Sequence, residues 1–249
     1  MNLQVGDLLI PDWPAPATVR AALTTRAGGV SAAPFDALNL GEHVGDDPAA
    51  VAENRRRLQA LLGCRPAWLS QVHGVTVVEA DPAQVAEADA SWSVTPGVAC
   101  TIMTADCLPV LFCDRAGSRV AAAHAGWRSL AGGVLEASVA ALGCPAGEVL
   151  AWLGPAIGPQ AFEVGAEVRE AFVSRHAEAA AAFVPSANPG RYMADLYRLA
   201  RIRLASVGVT AVYGGGLCTF TDAERFYSFR REPRTGRLAS LIWLAPAQP

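Results

Sequence analysis

The sequence predicts an α/β fold, a single domain with a mixed β-sheet core covered by helices. Three observations carry that expectation. Short β-rich runs alternate with helical segments without a regular βαβ period. Hydrophobic residues make up 52% and charged residues 17% of 249 residues, enough to bury a sizeable core. No internal repeat, low-complexity tract or linker interrupts the chain, so residues 1–249 read as one domain.

Each element has its own signal. VRAALTTR (19–26) reads as a strand running into GGVSAAPFDALNLGEHVGDDP, a loop rich in Gly, Pro, Asn and Asp and long enough to expect a function for it. Pro48 opens a helix with an apolar stripe at Val51, Leu58, Leu61 and Leu62, and Gly63 closes it. Short strands are expected at AWLSQV (67–72), VTVVEA (75–80), VACTIMT (98–104), PVLFCD (109–114) and RVAAAHA (119–125). SLAGGVLEASVAALG (129–143) reads as a helix despite two glycines, and VLAWLG (149–154) as a strand. GAEVREAFVSR (165–175) and HAEAAAAF (176–183) read as helical, followed by DLYRLARIRLASVG (195–208) with Asp195 as N-cap. AVYGGGLCTF (211–220) and LASLIWL (238–244) close the chain as strands.

Composition excludes several classes. All 20 basic residues are Arg, so lysine Schiff-base chemistry and a Walker-type phosphate loop are ruled out. Any anion is met by guanidinium groups or backbone N–H. A net charge of −3 argues against a nucleic-acid partner, and Arg55, Arg56 and Arg57 form the single tight basic run, read in part as a solvated helix face. The N-terminus lacks the charge pattern of a signal peptide, and no apolar run reaches ~18 residues. With six Cys and no CxxC pair, the thiols are expected to be reduced and mostly in the core of a cytoplasmic protein.

The chemistry concentrates at three strand ends. QVHG (71–74) places His73 in a turn between strands, TADCLP (104–109) places Cys107 in a strand break, and HAGWR (124–128) places His124 between a strand and a helix. Two imidazoles and a thiolate suit tetrahedral zinc with a fourth position open. The spacing alone leaves alternatives: a core thiol with locally bonded histidines, or Cys107 as nucleophile and His124 as base, with Asp106 or another acceptor orienting the ring. A His₂Cys set is also a blue-copper ligand type, but four histidines cannot supply a trinuclear cluster as well. Arg26, Arg55, Arg128, Arg230 and Arg231 could meet phosphate or carboxylate. Each alone reads as a surface or structural arginine, with Arg26 and Arg128 set apart because they flank probable site loops. Asn39 in NLG is a turn residue by default and a ligand-binding one by position.

The runs TTRAGGVS, LNLGEHVGDD, ENRRRL, SQVHG, TADCLPVLFCD, HAGWRS, LGPAIGPQAFEVG, CTFTDAERFYSFRRE and TGR, in order from about Arg20 to Leu244, resemble the YfiH-like family, also called the multicopper polyphenol oxidase or laccase-domain family. The one departure is Ser129, where the family usually has Gly. The resemblance implies a mixed α/β fold similar to that of a cysteine-dependent toxin deamidase, and metal ligands at His73, Cys107 and His124. It also implies phosphorolysis of adenosine, inosine, guanosine and methylthioadenosine, with adenosine deamination. Zinc is the expected metal, with copper able to take the same site. Asp106 is a candidate acid–base group; Arg26, Asn39, Arg55, Arg128 and Arg231 are candidates for nucleoside and phosphate. The expected partners are small molecules, with no nucleic acid or membrane, for a monomer or homodimer. The other readings are a Cys107/His124 amide hydrolase editing a peptidoglycan precursor, and a ligand binder without turnover.

Overall fold

Val98–Thr104, Leu108–Asp114 and Val120–Ala125 are buried along their whole lengths in the computed structural model, which describes residues 3–246. Their continuous apolar character follows from that position, since strands covered on both faces need no polar side.

Two mixed sheets lie face to face. One runs in the order Leu8–Leu9, Val19–Thr24, Leu238–Leu244, Val98–Thr104 and Arg65–Ala67, antiparallel except for its last pair. The other runs Ala211–Gly214, Val149–Leu153, Leu108–Asp114, Val120–Ala125, Ala90–Ser93 and Val77–Glu79, with parallel pairs at both edges. Cys100, Ile102 and Ile242 from the first sheet meet Leu111, Cys113 and Ala122 from the second in a shared core. Alternate residues of the second sheet, among them Val110, Phe112 and Ala123, face the helices Val134–Leu142, Ala166–Val173 and Leu196–Ser206. The outer face of the first sheet is covered by the helix Pro48–Leu62. The result is a helix–sheet–sheet–helix stack, and the chain crosses from the first sheet to the second through Ala105, Asp106 and Cys107.

The helix Pro48–Leu62 has the expected ends: Asp47 accepts the Ala49 N–H at 2.9 Å, and Gly63 closes it at φ 65°. Asp195 caps Leu196–Ser206 through the Arg198 N–H.

Other segments differ from expectation. The helix expected at 129–143 is two, Trp127–Gly132 and Val134–Leu142, because Gly133 takes φ 111° and breaks the hydrogen-bond ladder. The run 176–183 is a 3₁₀ helix, Ala177–Ala182. The strand expected at 211–220 stops at Gly214, where three successive glycines adopt positive φ. The run 67–72 divides between Arg65–Ala67 and Leu69–Ser70, which join different sheets. A small antiparallel sheet of Glu163–Gly165, Arg191–Ala194 and Phe183–Pro185 was not anticipated. Among the described residues, no helix is long and apolar enough to cross a membrane.

Candidate functional site

Where the chain changes sheets, it delivers Cys107 beside two histidines. One ligand atom from each of His73, Cys107 and His124 lies within 4.8 Å of the others, and Cys107 Sγ is 3.8 Å from His73 Nε2. The two imidazoles meet edge to face, with centroids 4.8 Å apart. The three donors come from a turn, a sheet crossover and a strand end, as their sequence contexts suggest.

Asp89 organises this cluster. It is fully buried, and its carboxylate accepts three successive backbone N–H groups, from Val72, His73 and Gly74, at 3.2, 3.0 and 2.6 Å. The same carboxylate lies 2.8 Å from His124 Nδ1. One acid therefore shapes the turn that carries His73, which sits at φ 61°, and turns the Nε2 of His124 toward Cys107. Gly126 completes the cradle: a Cβ there would lie 2.9 Å from His73 Cδ2 and 3.1 Å from Cys107 Sγ.

The charges are coupled. Burial pushes the Cys107 thiol up, but the neighbouring imidazoles of His124 and His73 outweigh it and bring the group down to about 6. Burial opposes protonation of His124, yet the Cys107 thiolate and Asp89 raise it to about 9. Burial also works against ionising Asp89, but its bonds to His124 and the turn amides win and hold it below the ordinary carboxylate value.

The donor set fits a zinc-like ion. Tetrahedral bonds of about 2.0 Å to nitrogen and 2.3 Å to sulfur put such a pair roughly 3.5 Å apart, close to the Sγ–Nε2 separation of 3.8 Å. With all three donors within 4.8 Å of one another, a small inward shift completes the set. The carboxylate behind His124 is the usual outer partner of a metal-bound imidazole. A cleft of about 530 Å³ opens above the cluster, and its walls include His43, Gln71, Met103, Phe229 and Arg237. Gln71 is clasped to the Met103 backbone by two bonds of 2.8 Å.

The model of the family described as multi-copper polyphenol oxidoreductase laccase matches residues 20–245. The chain belongs to this family. A purine nucleoside phosphorylase of Pseudomonas aeruginosa is 75% identical over 95% of the chain and 98% of the relative. The purine nucleoside phosphorylase YfiH of Escherichia coli is 56% identical over 96% of this chain and all of its own. A Neisseria meningitidis structure superposes with TM-score 0.94 at 53% identity, covering 96% of this chain and 100% of that one. YlmD of Geobacillus stearothermophilus gives 0.91 at 30%, covering 98% of both. The family's name mentions several coppers. Among the described residues of this laccase-family chain, a single group of three or more His, Cys, Asp or Glu is close enough to share an ion, and it holds two of the four histidines.

Most of the remaining residues singled out from the sequence are bonded within this laccase-family chain. Asp106, at φ 91°, accepts the Thr219 hydroxyl at 2.6 Å and the Arg230 N–H at 2.7 Å, so it ties down the 218–231 segment. The partner of His124 Nδ1 is Asp89, not Asp106. Arg26 donates to the Asp36 and Ala223 carbonyls and pairs with the Asp36 carboxylate. Arg55 donates to the Leu40 carbonyl, pairs with Glu42 and stacks over Trp68. Arg231 clips the carbonyls of Thr219, Phe220 and Phe226, and Arg230 reaches the Glu163 carbonyl. Asn39 is fully buried and bonded to Gly41, Asp46 and Arg237. Arg128 is exposed over Trp127 and does not line the cleft. Sequence reasoning missed Asp89, His43, Phe229 and Arg237. Asp89 could have been suspected as a charge between the apolar residues Ala88 and Ala90, and Arg237 from its TGR run.

Proposed function

We propose that this chain is a zinc-dependent purine nucleoside phosphorylase acting on adenosine, inosine, guanosine and methylthioadenosine, with adenosine deaminase activity. The convergence of His73, Cys107 and His124 at the floor of the cleft carries the reading. Relatives named purine nucleoside phosphorylase support the substrate class. The cleft volume lies within the range of about 300–1,000 Å³ usual for small-molecule sites.

Bound zinc supplies Lewis acidity, which favours hydroxide at neutral pH and stabilises developing negative charge. Asp89 keeps His124 in the tautomer that presents Nε2 to the ion and holds His73 beside it. Phe229 exposes 53% of its surface at the cleft wall and offers a flat apolar face to a nucleobase. Burial, and then the guanidinium groups of Arg237 and Arg55, lower the His43 imidazole from its ordinary value, which favours the neutral ring that can exchange hydrogen bonds with a purine. In phosphorolysis a phosphate oxygen bonds to ribose C1′ as the bond to the purine nitrogen breaks, and the departing base takes up a proton. In deamination, a water adds its hydroxyl at purine C6 and gives its proton to the amino group, which leaves as ammonia. Incubating the purified protein with inosine, with and without phosphate, tests the reading. Ribose 1-phosphate should form only with phosphate; hypoxanthine released equally without it contradicts phosphorolysis.

One observation favours a second reading. Asp89, His124 and Cys107 come together as acid, base and thiol, the arrangement of a cysteine amide hydrolase, and the resemblance alone suggests a cell-wall precursor as its substrate. Chelator separates the two: the hydrolase keeps its activity in it, and the zinc enzyme loses activity and regains it with Zn²⁺.

A further inference from the structure

A chain without lysine must hold phosphate with arginine or backbone N–H groups. Arg26, Arg55 and Arg231 commit their guanidinium groups to carbonyls and carboxylates of the protein, as described above. Arg237 differs. It lines the cleft with His73, Cys107 and His124, is half-buried, and forms no ion pair among the described residues. One of its terminal nitrogens donates to the Thr235 and Gly236 carbonyls, both at 3.1 Å. Its Nε and its other terminal nitrogen have no protein acceptor among the described residues.

The position is built. The Arg237 N–H donates to Asn39 Oδ1 at 2.9 Å, and the Gly41 N–H donates to the same atom at 3.0 Å. The Leu40 N–H donates to the Arg237 carbonyl at 3.2 Å. A Cβ at Gly41 would lie 2.7 Å from Arg237 Cγ, so glycine there leaves room for the arginine stem. The NLG turn therefore cradles Arg237, with Asn39 holding it from behind the cleft wall.

We propose that Arg237 is the residue that holds the phosphate co-substrate, and that Asn39 and Gly41 position it. Two donor groups without a protein acceptor, on a guanidinium that lines the cleft and sits 5.8 Å over the Phe229 ring, suit an oxyanion, which arginine binds in a forked, charge-assisted geometry. Burial lowers the guanidinium's pKa from its ordinary value and weakens its hydration, while the Cys107 and Asp106 charges act the other way, so an arriving anion meets a poorly solvated cation. The proposal rests on the phosphorolysis reading, but phosphate binding can be measured without turnover.

Zinc-loaded wild type, Arg237→Met, Arg237→Lys and Asn39→Ala should be titrated with inorganic phosphate by calorimetry and assayed with inosine at varied phosphate. Arg237→Met should weaken phosphate binding and raise its KM at least tenfold while leaving the inosine KM within about twofold. Arg237→Lys should retain part of the binding, and Asn39→Ala should shift the phosphate KM in the same direction by less. If wild type binds phosphate but forms no ribose 1-phosphate, and Arg237→Met loses phosphate binding, the assignment of Arg237 stands and the phosphorylase reading falls. Unchanged phosphate affinity in folded Arg237→Met or Arg237→Lys, or no phosphate binding by wild type, overturns the assignment.

Discussion

Asp89 lies 2.8 Å from Nδ1 of His124 while the same carboxylate receives the amides of the turn that carries His73. Two of the three candidate metal-donor positions thus depend on one buried acid 16 residues from one histidine and 35 from the other. Asp89→Asn keeps an acceptor oxygen but removes the charge and weakens control of the His124 tautomer. Zinc affinity should fall about 10–100-fold, read by chelator competition, with the circular dichroism of the fold retained. An unchanged affinity would show that the carboxylate's charge contributes nothing to metal binding.

The coupling of Cys107 to the histidines predicts a pH profile for the metal-free protein. The thiolate is the reactive form, and a value lowered to about 6 makes it abundant above pH 6 and scarce below. Iodoacetamide labelling of Cys107, followed by mass spectrometry, should therefore rise through an inflection near pH 6. Cys100 and Cys113 are pushed up to about 12 by burial, and Cys64 to about 11, so their labelling should stay negligible across this range. A Cys107 inflection near 8–9 would mean that the imidazoles do not stabilise the thiolate.

Gly126 tests the cradle itself. In Gly126→Ala the new methyl meets both His73 and Cys107, so at least one donor must move. Zinc content should fall substantially, with a stability loss of about 1–3 kcal/mol from overpacking. Gly147→Ala is the control, because a Cβ there meets nothing within 4 Å, and it should leave both measurements unchanged. Full zinc binding by Gly126→Ala would show that the site tolerates a wider geometry.

The cysteines of the core should matter only for packing. Cys64, Cys100 and Cys113 are buried among apolar side chains, whereas Cys144 and Cys218 are partly exposed. Replacing any one of these five with Ala should cost at most ~1–2 kcal/mol in urea unfolding and leave zinc content intact. Loss of zinc in any of these variants would point to a donor outside the His–Cys–His group.

These tests separate what local sequence encodes from what tertiary structure supplies. The helix Pro48–Leu62 was legible because Asp47, Pro48 and Gly63 mark its ends, and the strands 98–104, 109–114 and 238–244 because they are continuous apolar runs. The strands at 163–165, 183–185 and 191–194 were not, since three or four partly exposed residues carry too little pattern. At the site, His73, Cys107 and His124 stood out through their positions at strand ends. Asp89 did not, because its contacts exist only after distant segments meet. The arginines are hard to sort for a related reason: a guanidinium in a loop motif looks the same whether it faces a cleft or, like Arg231, bonds its own loop's carbonyls.

The most direct measurement is bound zinc and phosphate-dependent ribose 1-phosphate formation in Cys107→Ala, made on the same preparation beside wild type. Removing the thiolate leaves His73 and His124 as a two-ligand site, too weak to hold zinc at working concentrations. The account predicts that the variant keeps its fold and loses both the metal and the activity. Stoichiometric zinc in the variant would contradict the ligand assignment, and full turnover without zinc would place the chemistry elsewhere in the cleft.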